Sequence, residues 1–453
     1  MAGIAAETGA LTHSANDRGS AERPNVIVIV ADDHGSRDTG YFGTRDIETP
    51  HLDALAARGV RLNQFYSAAP VCSPSRAAVM TGRAPLRCGI TGNAASQRDQ
   101  PGGLPASEVT LARMFRDAGY ATASIGKWHL GYTRDTMPNA HGFDYAFGHI
   151  GGCIDSWSHF FYWSGPNIHD LYRNGEEIYA GGRFFSDLMV DEASKFLTAQ
   201  QHAPFFLYFA PNMPHYPYQP EPKWIEHFRH LPHPRRLYAA FLAMMDERIG
   251  RLLRKLDQLK LRERTIVIYQ SDHGHSTGER AFFGGGSAGP FRGAKFSLYE
   301  GGIRVPALIS WPEQIPAGAA RDQIAWGCDW LPTLSDLCGV PAQERPMDGK
   351  SLAAILHSPD AKSPHEALNW AGGSGPAASW AIRDGDWKLL GRPWDTSVND
   401  RGKPEEGVRL YNLAEDVGER NDLSAKHPDI AARMQKSHEQ WRDSCTQDKA
   451  PAL

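Results

Sequence analysis

Two runs, Val26–Val30 (VIVIV) and Thr265–Tyr269 (TIVIY), are apolar and rich in β-branched residues, without polar alternation. That pattern predicts strands buried on both faces, as in a parallel sheet. Tyr120–Ile125 and Phe205–Phe209 are further strand signals. Helical stretches fall between them. Thr49–Ala57 has Pro50 near its first turn and Gly59 beyond its end. Ser75–Met80 follows a proline, and Glu108–Ala118 is closed by Gly119. Phe184–Gln200 and the long amphipathic Arg235–Leu259 complete the set. From Arg304 the pattern continues with a strand, Val305–Trp311, and a helix near Trp330–Leu337. This alternation predicts an α/β fold with a doubly wound, mostly parallel central sheet flanked by helices. After a loop-like stretch (341–364), Ser379–Ile382, Trp387–Leu390 and Arg409–Leu413 predict a small C-terminal antiparallel sheet. His427–Trp441 adds a helix. The expected organisation is a disordered leader (1–23), a catalytic domain (24–364) and a C-terminal subdomain (365–453).

Composition narrows the classes. At 41% hydrophobic and 22% charged residues, the 453-residue chain is not a disordered one. The 48 basic and 52 acidic residues leave a net charge of −4. That balance provides no general field for nucleic acid or an anionic membrane, so any bound anion must be caught locally. No stretch approaches the ~18 apolar residues of a membrane span. Met1–Pro24 lacks the basic start and apolar core of a secretory signal, which predicts a cytoplasmic location, or a periplasmic or secreted one if a signal has been removed. The six cysteines are scattered without a C-x-x-C pair, so they form neither a disulfide framework nor a zinc ribbon. Cys88, Cys153, Cys328, Cys338 and Cys445 read as buried structural thiols. Cys72 differs, because it lies just before a predicted helix N-terminus, where free N–H groups favour anions.

In open α/β sheets ligands sit beyond the carboxyl ends of the strands. Here those ends read Asp32-Asp33-His34-Gly35, Gly126-Lys127-Trp128-His129, Asn212-Met213-Pro214-His215 and Asp272-His273-Gly274. Adjacent carboxylates beside a buried strand repel and are costly to desolvate. Helix capping or a loop turn explains many such pairs. A second strand end carrying Asp272-His273 favours a divalent cation instead. His34 and His275 read as supporting or surface residues. Gly284–Gly289 lacks the ending of a phosphate loop and suggests a mobile active-site flap.

Cys72-Ser73-Pro74-Ser75-Arg76, continuing through Ala77–Gly82, resembles the C-x-P-x-R signature of the sulfatases, in the alkaline-phosphatase-like superfamily. Gly126–Gly131 (GKWHLG) is similar to the family's second signature. Gly293-Ala294-Lys295, Glu300–Pro306, Asp348–Leu352, Arg383–Leu389 and Leu410–Leu413 with Glu419 and Asn421 extend the likeness over about Pro24–Leu423.

The resemblance implies that Cys72 is oxidised by a formylglycine-generating enzyme to Cα-formylglycine. One hydroxyl of the hydrated aldehyde attacks sulfur, and the other later expels sulfate. It implies a cation held by Asp32, Asp33, Asp272 and His273, with the modified Cys72 completing the shell. Ca²⁺ is expected, with Mg²⁺ or Mn²⁺ as alternatives, although many sulfatases carry Asn where this chain has His273. Asp272 also matches the residue that takes the nucleophile's proton. Arg76, one helical turn after Cys72, holds the nucleophile or the metal carboxylates. Lys127 and Lys295 match cations that clamp sulfate oxygens. His129 matches the base for sulfate release, and His215 with Lys295 the donor to the leaving oxygen. The implied substrate is an aryl sulfate or a sulfated carbohydrate such as N-acetylgalactosamine sulfate. The aromatic-rich segment His149–Tyr179 either stacks on it or packs internally. Two alternatives stand beside this reading: a phosphate or phosphonate monoester hydrolase of the same superfamily, and a non-catalytic binder of sulfated glycans.

Overall fold

The computed structural model describes residues 23–447 apart from Asp99, Gln343, Ser374 and Pro376. The predicted leader lies almost wholly outside the described residues. A ten-stranded sheet forms the frame. Its strands run in the order Ala319–Arg321, Val60–Leu62, Ala307–Ser310, Thr265–Ser271, Asn25–Ala31, Phe205–Ala210, Ala121–Gly126, Tyr145–Gly148, Tyr172–Arg173 and Glu176–Glu177. The five from Thr265–Ser271 to Tyr145–Gly148 are parallel. The flanks are mixed, and the Ala307–Ser310 strand runs antiparallel to Thr265–Ser271. Hydrophobicity reports burial and not direction. The connection between those two strands contains only short helical turns, so no long crossover helix returns the chain in parallel.

Side chains of the central strand alternate between two cores. Ile27 and Ile29 pack with the helices Pro50–Ala57, Phe185–Ala199 and Arg235–Gln258. Val26, Val28 and Val30 pack with Cys72–Thr81, Leu111–Asp117 and Trp330–Cys338. Helices on both faces make the sheet doubly wound, as the pattern predicts. Two helix starts differ from expectation. The cysteine helix begins at Cys72 itself, with Val71 extended before it. The predicted Glu108 start moves to Leu111, because the Thr110 hydroxyl caps the helix by accepting from Arg113 N at 3.2 Å.

The C-terminal unit is a four-stranded antiparallel sheet: Ala367–Ala371, Trp380–Asp384, Trp387–Gly391 and Val408–Asn412. One face, through Leu368, Trp370, Ala381 and Leu390, joins a cluster with Tyr66, Ala78 and Trp326 of the large unit. The other, through Ile382, Leu389 and Leu410, receives Ala431 and Met434 of the terminal helix Pro428–Gln447. A buried charge network also ties the units together. Lys388 Nζ lies 2.8 Å from Glu300 and 2.9 Å from Glu419, all three fully buried. Tyr66 OH donates to Glu300 at 2.6 Å, and Glu300 N donates to Glu419 at 2.7 Å. Burial favours the neutral carboxyl, but Lys388, Arg304 and Arg383 together outweigh it at Glu300 and hold that group at about 2. Glu419, where burial and the Glu300 charge prevail over Lys388, is pushed up to about 7. Among the described residues, no helix is long and apolar enough to cross a membrane.

Candidate active site

The strand ends converge as the topology requires. Asp32 and Asp33 leave the central strand, with Asp33 turning into the left-handed region (φ 64°). Asp32 pairs with Pro214 across to the neighbouring strand's exit, and its N–H donates to Met213 O at 3.1 Å. Lys127 and His129 follow the Ala121–Gly126 strand, and His129 is also left-handed (φ 55°). His215 follows Phe205–Ala210, while Asp272 and His273 follow Thr265–Ser271. Cys72 enters as the first residue of its helix, 2% exposed.

Each predicted residue is buried in this cluster. Lys127 Nζ donates to both oxygens of Asp32, at 2.9 and 2.8 Å. Lys295 Nζ donates to Asp33 Oδ1 at 2.7 Å. Arg76 donates to Asp272 Oδ2 from Nε and Nη2, at 3.1 and 2.9 Å, and lies 3.6 Å from Asp32. Cys72 Sγ is 3.2 Å from His273 Nε2 and 3.8 Å from Asp32 Oδ1. His273 Nε2 is 3.4 Å from Asp272 Oδ1, and its Nδ1 faces Gly274 O at 3.0 Å. His215 Nδ1 donates to Tyr216 O at 2.6 Å, which leaves Nε2 3.8 Å from Asp33 Oδ2. His129 Nε2 is 3.4 Å from Ser96 Oγ.

Electrostatics divide these groups by partner. Burial would raise Asp32, yet Lys127, His215, Arg76 and Lys295 hold it well below the usual carboxylate range. Asp33 is lowered the same way, chiefly by Lys295 against burial. For Asp272 burial wins over His273 and Arg76, giving about 6. Burial also opposes ionisation of Cys72, but Lys127, Lys295 and His273 bring it down to about 5. Burial alone would lower His273; Asp272 and Cys72 raise it to about 9. The other five cysteines are buried and free. Burial pushes Cys88 and Cys153 up to about 12, so neither shares the reactivity of Cys72. Burial and the neighbouring Lys127 keep His129 neutral, far below the usual imidazole range.

The donor atoms of Asp32, Asp33, Cys72 and His273 all lie within 4.8 Å of one another. Asp33 Oδ2 is buried without a hydrogen-bond partner. An orphaned carboxylate oxygen inside such a donor set is what a divalent cation would satisfy, so these residues fit one. Asp272 is outside that tight group, its carboxylate being engaged by Arg76.

Cys72 opens into a cavity of about 400 Å³. Lys295, His129 and His215 line it near the thiol. Asn93, Ser96, Gln97 and Gln100 form a polar wall, and Phe161, Trp163, Tyr216 and Phe296 an aromatic one. The aromatic segment thus divides its work: Phe161 and Trp163 reach the cavity, whereas Trp157 packs on Phe184 and Tyr172 on Tyr132. The expected flap is absent from the cavity wall. Gly284–Gly289 is tied back instead, with Gly285 O accepting from Arg235 at 3.0 Å and Ser287 N donating to Asp38 at 2.6 Å. His34 and His275 are both buried, not surface groups. His275 O accepts from Lys295 N at 2.9 Å and so helps place that lysine.

Sequence reasoning missed several contributors. Tyr208 OH receives Arg76 Nη1 at 3.2 Å, and a lone hydroxyl in the otherwise apolar FFLYFA strand was its only signal. Asn93 Oδ1 accepts Ser73 N at 3.1 Å beside the thiol. The polar run Thr91–Gln100, directly after the cysteine helix, marked that wall without giving its geometry.

Comparison with known proteins gives one answer. The sulfatase family model matches residues 24–340, and the C-terminal model of N-sulphoglucosamine sulphohydrolase matches residues 291–444. Mouse arylsulfatase J is 32% identical, over 98% of this chain and 81% of its own length. Dog N-acetylgalactosamine-6-sulfatase is 35% identical, over 79% of this chain and 71% of its own. The crystal structure of Ps i-CgsB in complex with k-i-k-neocarrahexaose superposes with a TM-score of 0.83 at 29% identity, covering 93% of each chain.

Proposed function

The chain belongs to the sulfatase family and is a sulfuric ester hydrolase, and from that premise we propose that it cleaves the sulfate monoester of a neutral sugar, using formylglycine made from Cys72. N-Acetylgalactosamine sulfate is the leading candidate, with simple aryl sulfates as surrogates. The observation that carries this reading is the position of Cys72. It stands at a helix N-terminus on the floor of the cavity, with a lysine on either acid beside it.

A sulfate monoester is anionic and resists anionic nucleophiles, so its oxygens must be neutralised and its leaving oxygen protonated. The hydrated aldehyde supplies a hydroxyl nucleophile that a thiol cannot replace. A divalent cation, Ca²⁺ by our reading, would be held by Asp32, Asp33, His273 and residue 72, with Asp272 left to Arg76 rather than serving as the ligand the sequence suggested. It would supply charge neutralisation at the sulfate. The chain's own residues do the rest. Lys127 and Lys295 bind the sulfate oxygens. Arg76 fixes Asp272, so that this carboxylate is oriented to take a proton beside residue 72. The neutral His129 accepts the proton that accompanies sulfate release. The Tyr216 carbonyl fixes the Nδ1 proton of His215, so this ring protonates the leaving oxygen from Nε2 only when doubly protonated, a form that burial opposes and nearby Asp33 favours. Water is consumed, and an alcohol and sulfate leave. A formylglycine-generating enzyme is required during maturation. All matched catalytic residues are present, which argues against a non-catalytic binder.

The leaving group is neutral by our reading. Among the described residues lining the cavity, Lys295 is the only Lys or Arg, and it stands at the sulfate end. Away from Cys72 and the histidines, the lining is mostly amides, two serines, small residues and aromatic rings, which offer partners to hydroxyl edges and C–H faces.

The decisive experiment compares kcat/KM on 4-nitrophenyl sulfate and 4-nitrophenyl phosphate for the matured enzyme. We expect the sulfate to be preferred; preference for phosphate contradicts the assignment. The cation has its own readout. Adding Ca²⁺ to chelator-treated protein should raise Tm as its concentration passes Kd, since binding to the folded state alone stabilises it. A Tm indifferent to Ca²⁺, Mg²⁺ and Mn²⁺ would remove the cation from the account.

A further inference from the structure

Large hydrophobic side chains exposed among the described residues are Trp157, Phe160, Trp163, Tyr179, Phe282, Phe283 and Val398. All but Val398 are aromatic and fall in two segments, 157–179 and 282–283. These segments meet at Arg280. Its Nη1 and Nη2 donate to Tyr162 O and Trp163 O at 3.1 and 3.2 Å, and its guanidinium lies 4.8 Å from the Trp163 ring centroid. Trp163 lines the catalytic cavity yet is 45% exposed, so the aromatic wall continues outward over the rim. Arg280 spends donors and one face on this loop, and thereby positions Trp163.

Phe282 and Phe283 follow Arg280 within ~11 Å of chain. Both adopt left-handed backbone, with φ of 54° and 63°, where phenylalanine is unfavourable and glycine is at ease. The chain carries glycine at the next three positions, but not at these two. Core burial does not explain the choice, because the rings are 47% and 49% exposed. Phe282 rests on His233 at 4.7 Å and near Tyr218 at 6.4 Å, while Phe283 meets Arg401 at 5.2 Å. Strained, water-facing aromatic rings two and three residues beyond Arg280, which holds the cavity-lining Trp163, fit a ligand-binding role.

Building on the sulfatase reading, we propose that Trp163, Phe282 and Phe283, set by Arg280, form a subsite for the sugar ring next to the sulfated one. The substrate is then the sulfated end of a glycan with at least two neutral rings. A sugar suits the site better than a sterol. The cavity sets Asn93, Ser96, Gln97 and Gln100 beside its aromatic residues, a lining that suits the hydroxyl edges of a sugar better than the hydrocarbon faces of a sterol.

The test is the ratio of kcat/KM for a sulfated disaccharide to that for the matching sulfated monosaccharide. The expected ratio is roughly tenfold for the natural enzyme. It should fall to about one in Phe283→Gly and survive in Phe283→Tyr. Phe283→Gly should melt no lower than the natural protein, since glycine relaxes the left-handed backbone; a ring needed only for folding would cost Tm. A ratio near one in the natural enzyme, a ratio unchanged by Phe283→Gly, or a larger Phe283-dependent gain on a steryl sulfate would overturn the proposal. If neither sugar is turned over, the hydrolase reading fails separately. Calorimetric binding of the same two sugars to Cys72→Ala protein then decides: tighter disaccharide binding that Phe283→Gly abolishes supports the subsite, and equal binding of both sugars overturns it.

Discussion

Cys72→Ala lowers kcat on 4-nitrophenyl sulfate by on the order of 10⁴-fold or more, while a sulfated sugar still binds. The reason is chemical. Lys127, Lys295, His129 and His215 surround the site with cations and proton carriers, but none of them replaces the nucleophile. They retain the sulfate clamp, so binding outlasts turnover. Calorimetry on the variant measures the first and steady-state kinetics the second. Cys72→Ser separates the modification from simple nucleophilicity, because a hydroxyl at this position offers one oxygen where a hydrated aldehyde offers two. Retention of full activity by either variant contradicts the mechanism.

Lys388→Met destabilises the protein by about 3–5 kcal/mol. Methionine keeps the length of the side chain but strands the Glu300 and Glu419 carboxylates, both fully buried, without the cation between them. Tyr66 and Arg304 still reach Glu300, at 2.6 and 3.3 Å, and limit the loss. The urea midpoint should fall, and Glu300→Gln with Glu419→Gln in the same chain should recover much of the difference by removing the stranded charges. An unchanged midpoint for Lys388→Met would show that the network contributes no stability across the junction of the two sheets.

The cluster of candidate residues at the strand ends was largely legible in the sequence, because burial and charge are legible there, whereas Lys295 was marked only by the family resemblance. A buried strand such as Val26–Val30 that runs directly into two aspartates needs a compensating charge. Two such ends lie close together when their strands are neighbours, as Asn25–Ala31 and Thr265–Ser271 are. The cysteine helix was readable for a related reason, although it starts at Cys72 rather than Ser75. What escaped was carried by neutral or weakly patterned residues. Tyr208, Asn93 and Ser96 are ordinary polar side chains whose roles exist only once Arg76, Ser73 and His129 are placed beside them. The Ala367–Ala371 strand turns only Leu368 and Trp370 fully inward, too short an alternation to stand out. The antiparallel course of Ala307–Ser310 depends on its connection and not on its composition. The Lys388 network joins residues 88 and 119 positions apart in the pairs Glu300–Lys388 and Glu300–Glu419, a link no local pattern contains. Phe282 and Phe283 read as hydrophobic residues before a glycine run; only their backbone angles and exposure set them apart.

The central claim is that the working protein has no cysteine at position 72, and mass spectrometry of the tryptic peptide Leu62–Arg76 from the native host tests it most directly. The account predicts a peptide lighter by the exchange of the CH₂–SH group for an aldehyde, and reactive toward a hydrazide. A peptide recovered wholly as the unmodified, alkylatable thiol would contradict it.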